Sequence, residues 1–151
     1  MTIKIEISKS LTEDQTKKVD QLWNEVYPIQ LNNRFRLLLE GIEDYNHHLL
    51  LNEADEVIGW AVAFFRANEL WFSILISATN QNKGNGKMLL DSLKRNSTNL
   101  CGWVIDHNND LKQDSSTYYT PMQFYLKNGF IVMEQRIETA IISAVKIKFE
   151  V

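Results

Sequence analysis

The sequence predicts an α/β protein, with one mixed, mostly antiparallel sheet of about seven strands flanked by about four helices. Three observations carry that expectation. Ile3, Ile5 and Ile7 alternate with Lys4, Glu6 and Ser8, the period of a half-buried strand. The run Val57-Ile58-Gly59-Trp60-Ala61-Val62-Ala63-Phe64-Phe65 has almost no polar residue, so its strand is central and covered on both faces. Helical and strand periods then alternate in the order βααβββαβαββ, which places helices on the faces of a sheet. With 151 residues, no repeat and no linker-like stretch, residues 1–151 form a single domain.

Each element has a local reason. Ser10 with Glu13 reads as a capping box, and Val19, Leu22, Trp23 and Val26 give Leu11 to Val26 an apolar helical face. Pro28 ends that helix. Gln30 to Glu40 reads as a second helix, with Leu31, Phe35, Leu38 and Leu39 on one side and Gly41 as its stop. His48 to Leu51 and Val57 to Phe65 flank a polar hairpin turn, and Arg66 to Glu69 turns the chain into Leu70 to Ile76. Lys87 to Arg95 is the third helix, Leu100 to Ile105 a strand, and Asp106 to Thr120 a long polar loop. Pro121 to Lys127 suits a short helix stopped at Asn128-Gly129, and Phe130 to Val132 and Ala144 to Phe149 close the sheet.

Composition narrows the partners. The net charge of −3, with no basic block, disfavours a nucleic-acid-binding domain. No apolar run reaches the roughly 18 residues of a membrane span, and no signal-peptide core opens the chain, so the expected location is cytoplasmic. Cys101 is the only cysteine, which excludes an intrachain disulfide and a cysteine-built zinc site; its apolar setting suits a buried structural thiol. Asp106, Asn108 and Asp110 imitate the start of a calcium loop, but Leu111 and Thr117 stand where glycine and glutamate are needed. His47 and His48 point to opposite faces of a strand and make a poor metal pair. No metal site is expected.

Gln81-Asn82-Lys83-Gly84-Asn85-Gly86-Lys87 lies between the strand ending at Ile76 and the third helix. Two glycines one residue apart suit a turn whose backbone approaches a ligand closely. The unpaired amides at the start of the helix, at its positive end, suit a phosphate, and Lys83 and Lys87 add charge. A mononucleotide P-loop fails here, because Gln81 and Met88 replace its first glycine and its hydroxyl. A dinucleotide fingerprint also fails, because Leu89 replaces its third glycine.

The hexapeptide Gln81 to Gly86 matches the Q/R-x-x-G-x-G/A signature, and the chain thereby resembles the GNAT superfamily of acyl-CoA-dependent N-acyltransferases. Phe124-Tyr125-Leu126-Lys127-Asn128-Gly129-Phe130, about forty residues downstream, is similar to that family's F-Y-x-K-x-G-F segment. Element order agrees from Ile3 to Val151. The resemblance implies acetyl-CoA as cosubstrate, its pyrophosphate held by the amides of Asn82, Lys83, Gly84, Asn85, Gly86 and Lys87 after Gln81. It also implies a pantetheine arm laid along the backbone at Ile76 and Ser77. Two departures stand out: Ala78 replaces the usual proline and Asn82 the frequent glycine.

Acyl transfer to an amine needs a neutral amine, a donor for the oxyanion and a proton for the departing thiolate. Tyr125 matches the family's general acid, and a phenol of ordinary pKa about 10 keeps its proton at neutral pH. Glu69, Asp106 and His107 are the candidate bases; for His107 the plain alternative is an exposed loop residue. The expected acceptor is a primary amine of a small molecule or a peptide, bordered by the second helix, the 106–120 loop and the segment after Phe130. Tyr118, Tyr119, Trp60 and Trp71 are aromatic candidates for that pocket, with core or surface packing the stronger expectation for each. Tyr118 and Pro121 stand where the family often has Asn and Ala, which leaves the acceptor open. A non-catalytic acyl-CoA-binding module is the competing function. Homodimers are common in the resembling family.

Overall fold

The computed structural model describes residues 2–95 and 97–151. The strands are β1 (Lys4–Ser8), β2 (Tyr45–Leu51), β3 (Val57–Arg66), β4 (Glu69–Ile76), β5 (Asn99–Val104), β6 (Ile131–Glu138) and β7 (Ser143–Glu150). The helices are α1 (Glu13–Val26), α2 (Asn85–Lys94) and α3 (Met122–Lys127). One seven-stranded sheet runs β1-β2-β3-β4-β5-β7-β6. Its neighbours are antiparallel except β4 and β5, which are parallel and register only at Trp71 and Cys101.

That exception positions the site. β4 continues five residues beyond the shared register to Ile76, and β5 three residues to Val104. No further pairing joins them there, so the sheet forks.

Two cores cover the two faces. Val19, Leu22 and Trp23 of α1 pack on Leu49, Trp60, Val62, Trp71 and Leu75. On the other face, Leu89, Leu90 and Leu93 of α2 join Leu50, Phe72, Ile76, Tyr125, Phe130 and Ile147. Each fully buried large aliphatic or aromatic side chain contributes about 1.5–3 kcal/mol. Trp60, a pocket candidate for which core packing is the stronger expectation, is fully buried and meets Phe35 edge-on at 5.2 Å, so it belongs to the core. Alternation on β4 sends Trp71, Ser73 and Leu75 to the α1 side and Phe72, Ile74 and Ile76 to the α2 side.

The structure corrects three local expectations. The capping box is Thr12 with Gln15: Thr12 Oγ1 accepts from the Gln15 amide at 3.1 Å, and Gln15 Oε1 accepts from the Thr12 amide at 2.9 Å. Ser10 instead turns back on Ser8. The expected second helix does not form. Only two single 3-10 turns appear, Ile29–Leu31 and Phe35–Leu37, because Asn33 adopts a left-handed φ of 66° that breaks the ladder. Its amide and side chain are held there by Asn24, at 2.8 and 3.2 Å. Last, β6 runs to Glu138 although its residues from Met133 are largely polar, because it is an edge strand.

Candidate active site at the β4–β5 fork

The fork opens into a cleft of about 880 Å³. β4 lines it from Trp71 to Ile76 apart from Leu75, and β5 with its continuation lines it from Trp103 to Ile105. Tyr27 at the end of α1 and Leu31 after it close one side, and Thr117 to Tyr119 of the long loop close the other. That loop is fastened across the end of α1. The Ile29 amide donates to the Leu111 carbonyl at 2.8 Å, and Pro28 bridges to Lys112.

One end of the cleft is the glycine-bearing turn. Asn82 has φ 61° and Gly84 φ 81°, both left-handed, so the chain curls tightly before α2 begins. A Cβ on Gly86 would stand 3.3 Å from the Phe124 ring, so this glycine admits close approach of α3. Two side chains fix the turn: Gln81 Nε2 donates to the Ile76 carbonyl at 3.0 Å, and buried Asn85 donates to the Asn80 carbonyl at 2.9 Å. The amides of residues 82 to 87 have no acceptor among the described residues. Such a set at a helix N-terminus fits a pyrophosphate. Lys87 lines the cleft, but its ammonium is tied to Asp91 at 2.8 Å.

The strand edge differs in one residue from expectation. The Ser77 amide donates to the Ile58 carbonyl at 3.0 Å, so Ser77 faces β3 and not the fork. Antiparallel alternation then turns the backbone groups of Ile74 and Ile76 toward the fork. Ile74, which the sequence motifs passed over, joins Ile76 on the fork side, where the Ile76 carbonyl is taken by Gln81 Nε2. The Ala78 amide, spare because proline is missing there, donates to a Glu25 carboxylate oxygen at 3.1 Å.

Tyr125 lines the cleft from α3, its ring packed against Phe72, Phe124 and Phe130 with centroids 5.1 to 5.7 Å away. Its hydroxyl makes no hydrogen bond to a described residue. Burial, reinforced by Tyr27, pushes its pKa well above the ordinary phenol value. Tyr27, which no motif marks, shares a 3.0 Å hydroxyl contact with Ser73 of β4 and approaches Tyr118 at 6.3 Å. Trp71 and Trp103 stack across the fork at 5.3 Å.

The three candidate bases are not brought together, and none lines the cleft. Glu69 precedes the Trp71–Cys101 register. It accepts from Lys146 at 2.7 Å and from the Cys101 thiol at 3.1 Å. The Lys146 contact, then the thiol, lowers its pKa. Cys101 is fully buried, and burial followed by the Glu69 contact pushes it to about 11, the opposite of a nucleophile's shift. Asp106 is clamped by both terminal nitrogens of Arg136, at 2.7 and 3.1 Å, which lowers its pKa. His107 Nδ1 accepts from the Asn109 amide at 3.1 Å. His47 and His48 bond on opposite faces, to Trp60 and Ser92. Among the described residues no group of three His, Cys, Asp or Glu side chains gathers to hold a metal. No helix there is long and apolar enough to cross a membrane.

The model of the acetyltransferase (GNAT) domain family matches residues 9–151. The chain belongs to that family. Among solved structures, Escherichia coli ElaA superposes with a TM-score of 0.71 at 15% identity, covering 99% of this chain and 100% of that one. A GNAT superfamily phosphinothricin acetyltransferase from Sinorhizobium meliloti, solved in complex with AcCoA, gives 0.61 at 18% identity, covering 99% and 89%. The PaiA N-acetyltransferase of Thermoplasma acidophilum, solved in complex with coenzyme A, gives 0.67 at 16% identity, covering 98% and 99%. At these identities the likeness speaks for the fold. No curated protein sequence matches the chain significantly.

Proposed function

We propose that the chain is an N-acetyltransferase that moves an acetyl group from acetyl-CoA to a primary amine of a small molecule or peptide by direct attack. The observation that carries this reading is one cleft holding both the partnerless amides of residues 82 to 87 and the unbonded Tyr125 hydroxyl. The amides would bind the pyrophosphate. The backbone of Ile74 and the Ile76 amide would pair with the pantetheine arm as an added strand. Bound acetyl-CoA supplies an activated acyl group and a thiolate leaving group.

Tyr125 would hand its proton to the departing sulfur, and the proton shed by the acylated nitrogen would restore the phenol through solvent. Burial keeps that proton on the phenol at neutral pH, and the missing protein partner leaves the O–H free to donate. The cleft itself is lined by no aspartate, glutamate or histidine among the described residues. On this reading the acceptor reaches the thioester as the neutral amine, its ammonium proton already given to solvent. The aromatic walls limit water around the reacting groups. Cytoplasmic location agrees with this cosubstrate.

Two measurements test the reading: calorimetry with coenzyme A, and thioester consumption over a panel of amines. Coenzyme A binding together with amine-dependent turnover is expected. Binding without any turnover points to a non-catalytic acyl-CoA-binding module, and absence of binding sinks both. Tyr125→Phe should lower kcat by about 10²-fold or more while coenzyme A affinity stays within about twofold. An unchanged kcat removes the general-acid role.

A further inference from the structure

The acceptor end of the cleft is apolar and aromatic but not neutral. Trp71, Trp103, Tyr118 and Ile142 form its walls. Every charged residue lining the cleft is a cation: Arg34, Arg66, Lys87 and Lys112. Two have evident occupations. Lys87 is paired with Asp91, and the Arg66 guanidinium lies over the Phe64 and Trp71 rings at 5.4 and 5.0 Å. Arg34 is half-buried and has no ion pair or side-chain hydrogen bond among the described residues. Lys112, also half-buried, forms no ion pair and feels Asp114 only through space. The Pro28–Lys112 bridge brings the loop carrying Lys112 against the segment leading to Arg34.

A partly desolvated guanidinium without a counter-charge is costly, and its planar fork suits a carboxylate in two parallel hydrogen bonds. The same positive field repels a second ammonium, so polyamines and lysine-rich peptides are disfavoured.

We propose that the acceptor amine carries a carboxylate on an apolar or aromatic body of amino-acid size, with Arg34 as the principal anion anchor and Lys112 as a second cation of the same cleft. The inference rests on the acetyltransferase reading of the same cleft. The body would lie against the tryptophan and tyrosine walls. The amine would then point inward, toward the fork between Tyr27 and Tyr125.

The test uses binding of reaction products, so it does not depend on turnover. N-acetyl-L-phenylalanine and its primary amide are titrated calorimetrically into the wild-type protein, Arg34→Gln and Lys112→Gln, with thermal melting as the folding control. The acid should bind wild type about tenfold more tightly than the amide or better. Arg34→Gln should collapse that difference while leaving amide affinity nearly unchanged; Lys112→Gln should reduce it by less. If Arg34→Gln fails to fold, the Lys112→Gln contrast and the wild-type acid-to-amide ratio decide. Equal affinity of acid and amide, no binding of either, or an acid preference untouched by the variants overturns the assignment. A parallel coenzyme A titration separates the two levels. Coenzyme A binding without an acid preference removes only the anion anchor, whereas failure to bind coenzyme A removes the acetyltransferase reading.

Discussion

Lys146 keeps only 9% of its side chain exposed, and its ammonium rests against Glu69 at 2.7 Å and over the Trp71 ring at 5.1 Å. A carboxylate in that position neutralises a buried cation, which makes it a structural group first. Glu69→Gln should lower unfolding free energy by about 1–3 kcal/mol, discounted from the fully buried case because Glu69 is 30% exposed. It should change kcat by less than about threefold. Denaturant melts and steady-state kinetics check this, and a large loss of kcat in a folded variant returns Glu69 to the chemistry. Tyr125 makes the opposite case. Its raised pKa means that the phenol remains protonated as pH climbs, so kcat should show no fall from loss of this proton between pH 7 and 9. A decline in that window that disappears in Tyr125→Phe would contradict it. That Tyr125 reaches the cleft was legible in the sequence because its segment is local. The work of Glu69 was not, because its partner lies 77 residues away.

Elements form here where local signals agree and fail where one residue vetoes them. The turn before α2 was readable because two glycines one residue apart, followed by helix-period leucines, need no distant partner. The second helix had the right apolar spacing, yet a left-handed Asn33 locked by Asn24 cut it into single turns. Its loss matters for the site, since Arg34 sits in this irregular segment and lines the cleft. On β5, Gly102 lets the Phe72 ring lie across the strand, and an added Cβ would come within 2.8 Å of it. Phe72 in turn packs on Tyr125 at 5.7 Å. Gly102→Ala should therefore cost about 1–3 kcal/mol of stability, read from a denaturant midpoint, and should weaken turnover by displacing Tyr125. Unchanged stability and turnover together would show that Phe72 can move aside freely.

For the whole molecule, the sheet links its stability to pH through two histidines buried on opposite faces of β2. Burial, then the neighbouring His48, holds His47 at about 4, below the ordinary 6.5; burial and Arg95 lower His48 as well. As pH falls below 6.5 the unfolded chain takes up these protons first, which favours unfolding. Stability from this source is full above about 6.5 and is lost progressively as pH drops through about 4. Denaturant midpoints should trace that decline, and His47→Gln should flatten it. A midpoint that is constant from pH 7 to 4.5 would rule the linkage out.

By itself the sequence determined what local chemistry determines: most of the strand and helix periods, the glycine-bearing turn before α2, and the Phe124 to Phe130 segment. Those features act over a few residues, where spacing and backbone freedom are sufficient. Only the tertiary structure decided which charges face the cleft. Glu69 and Asp106 find lysine and arginine partners on β7 and β6, while Arg34 and Lys112 of the cleft have no ion pair among the described residues. Pairing between charges depends on distances across the fold, and the order of residues along the chain does not encode those distances.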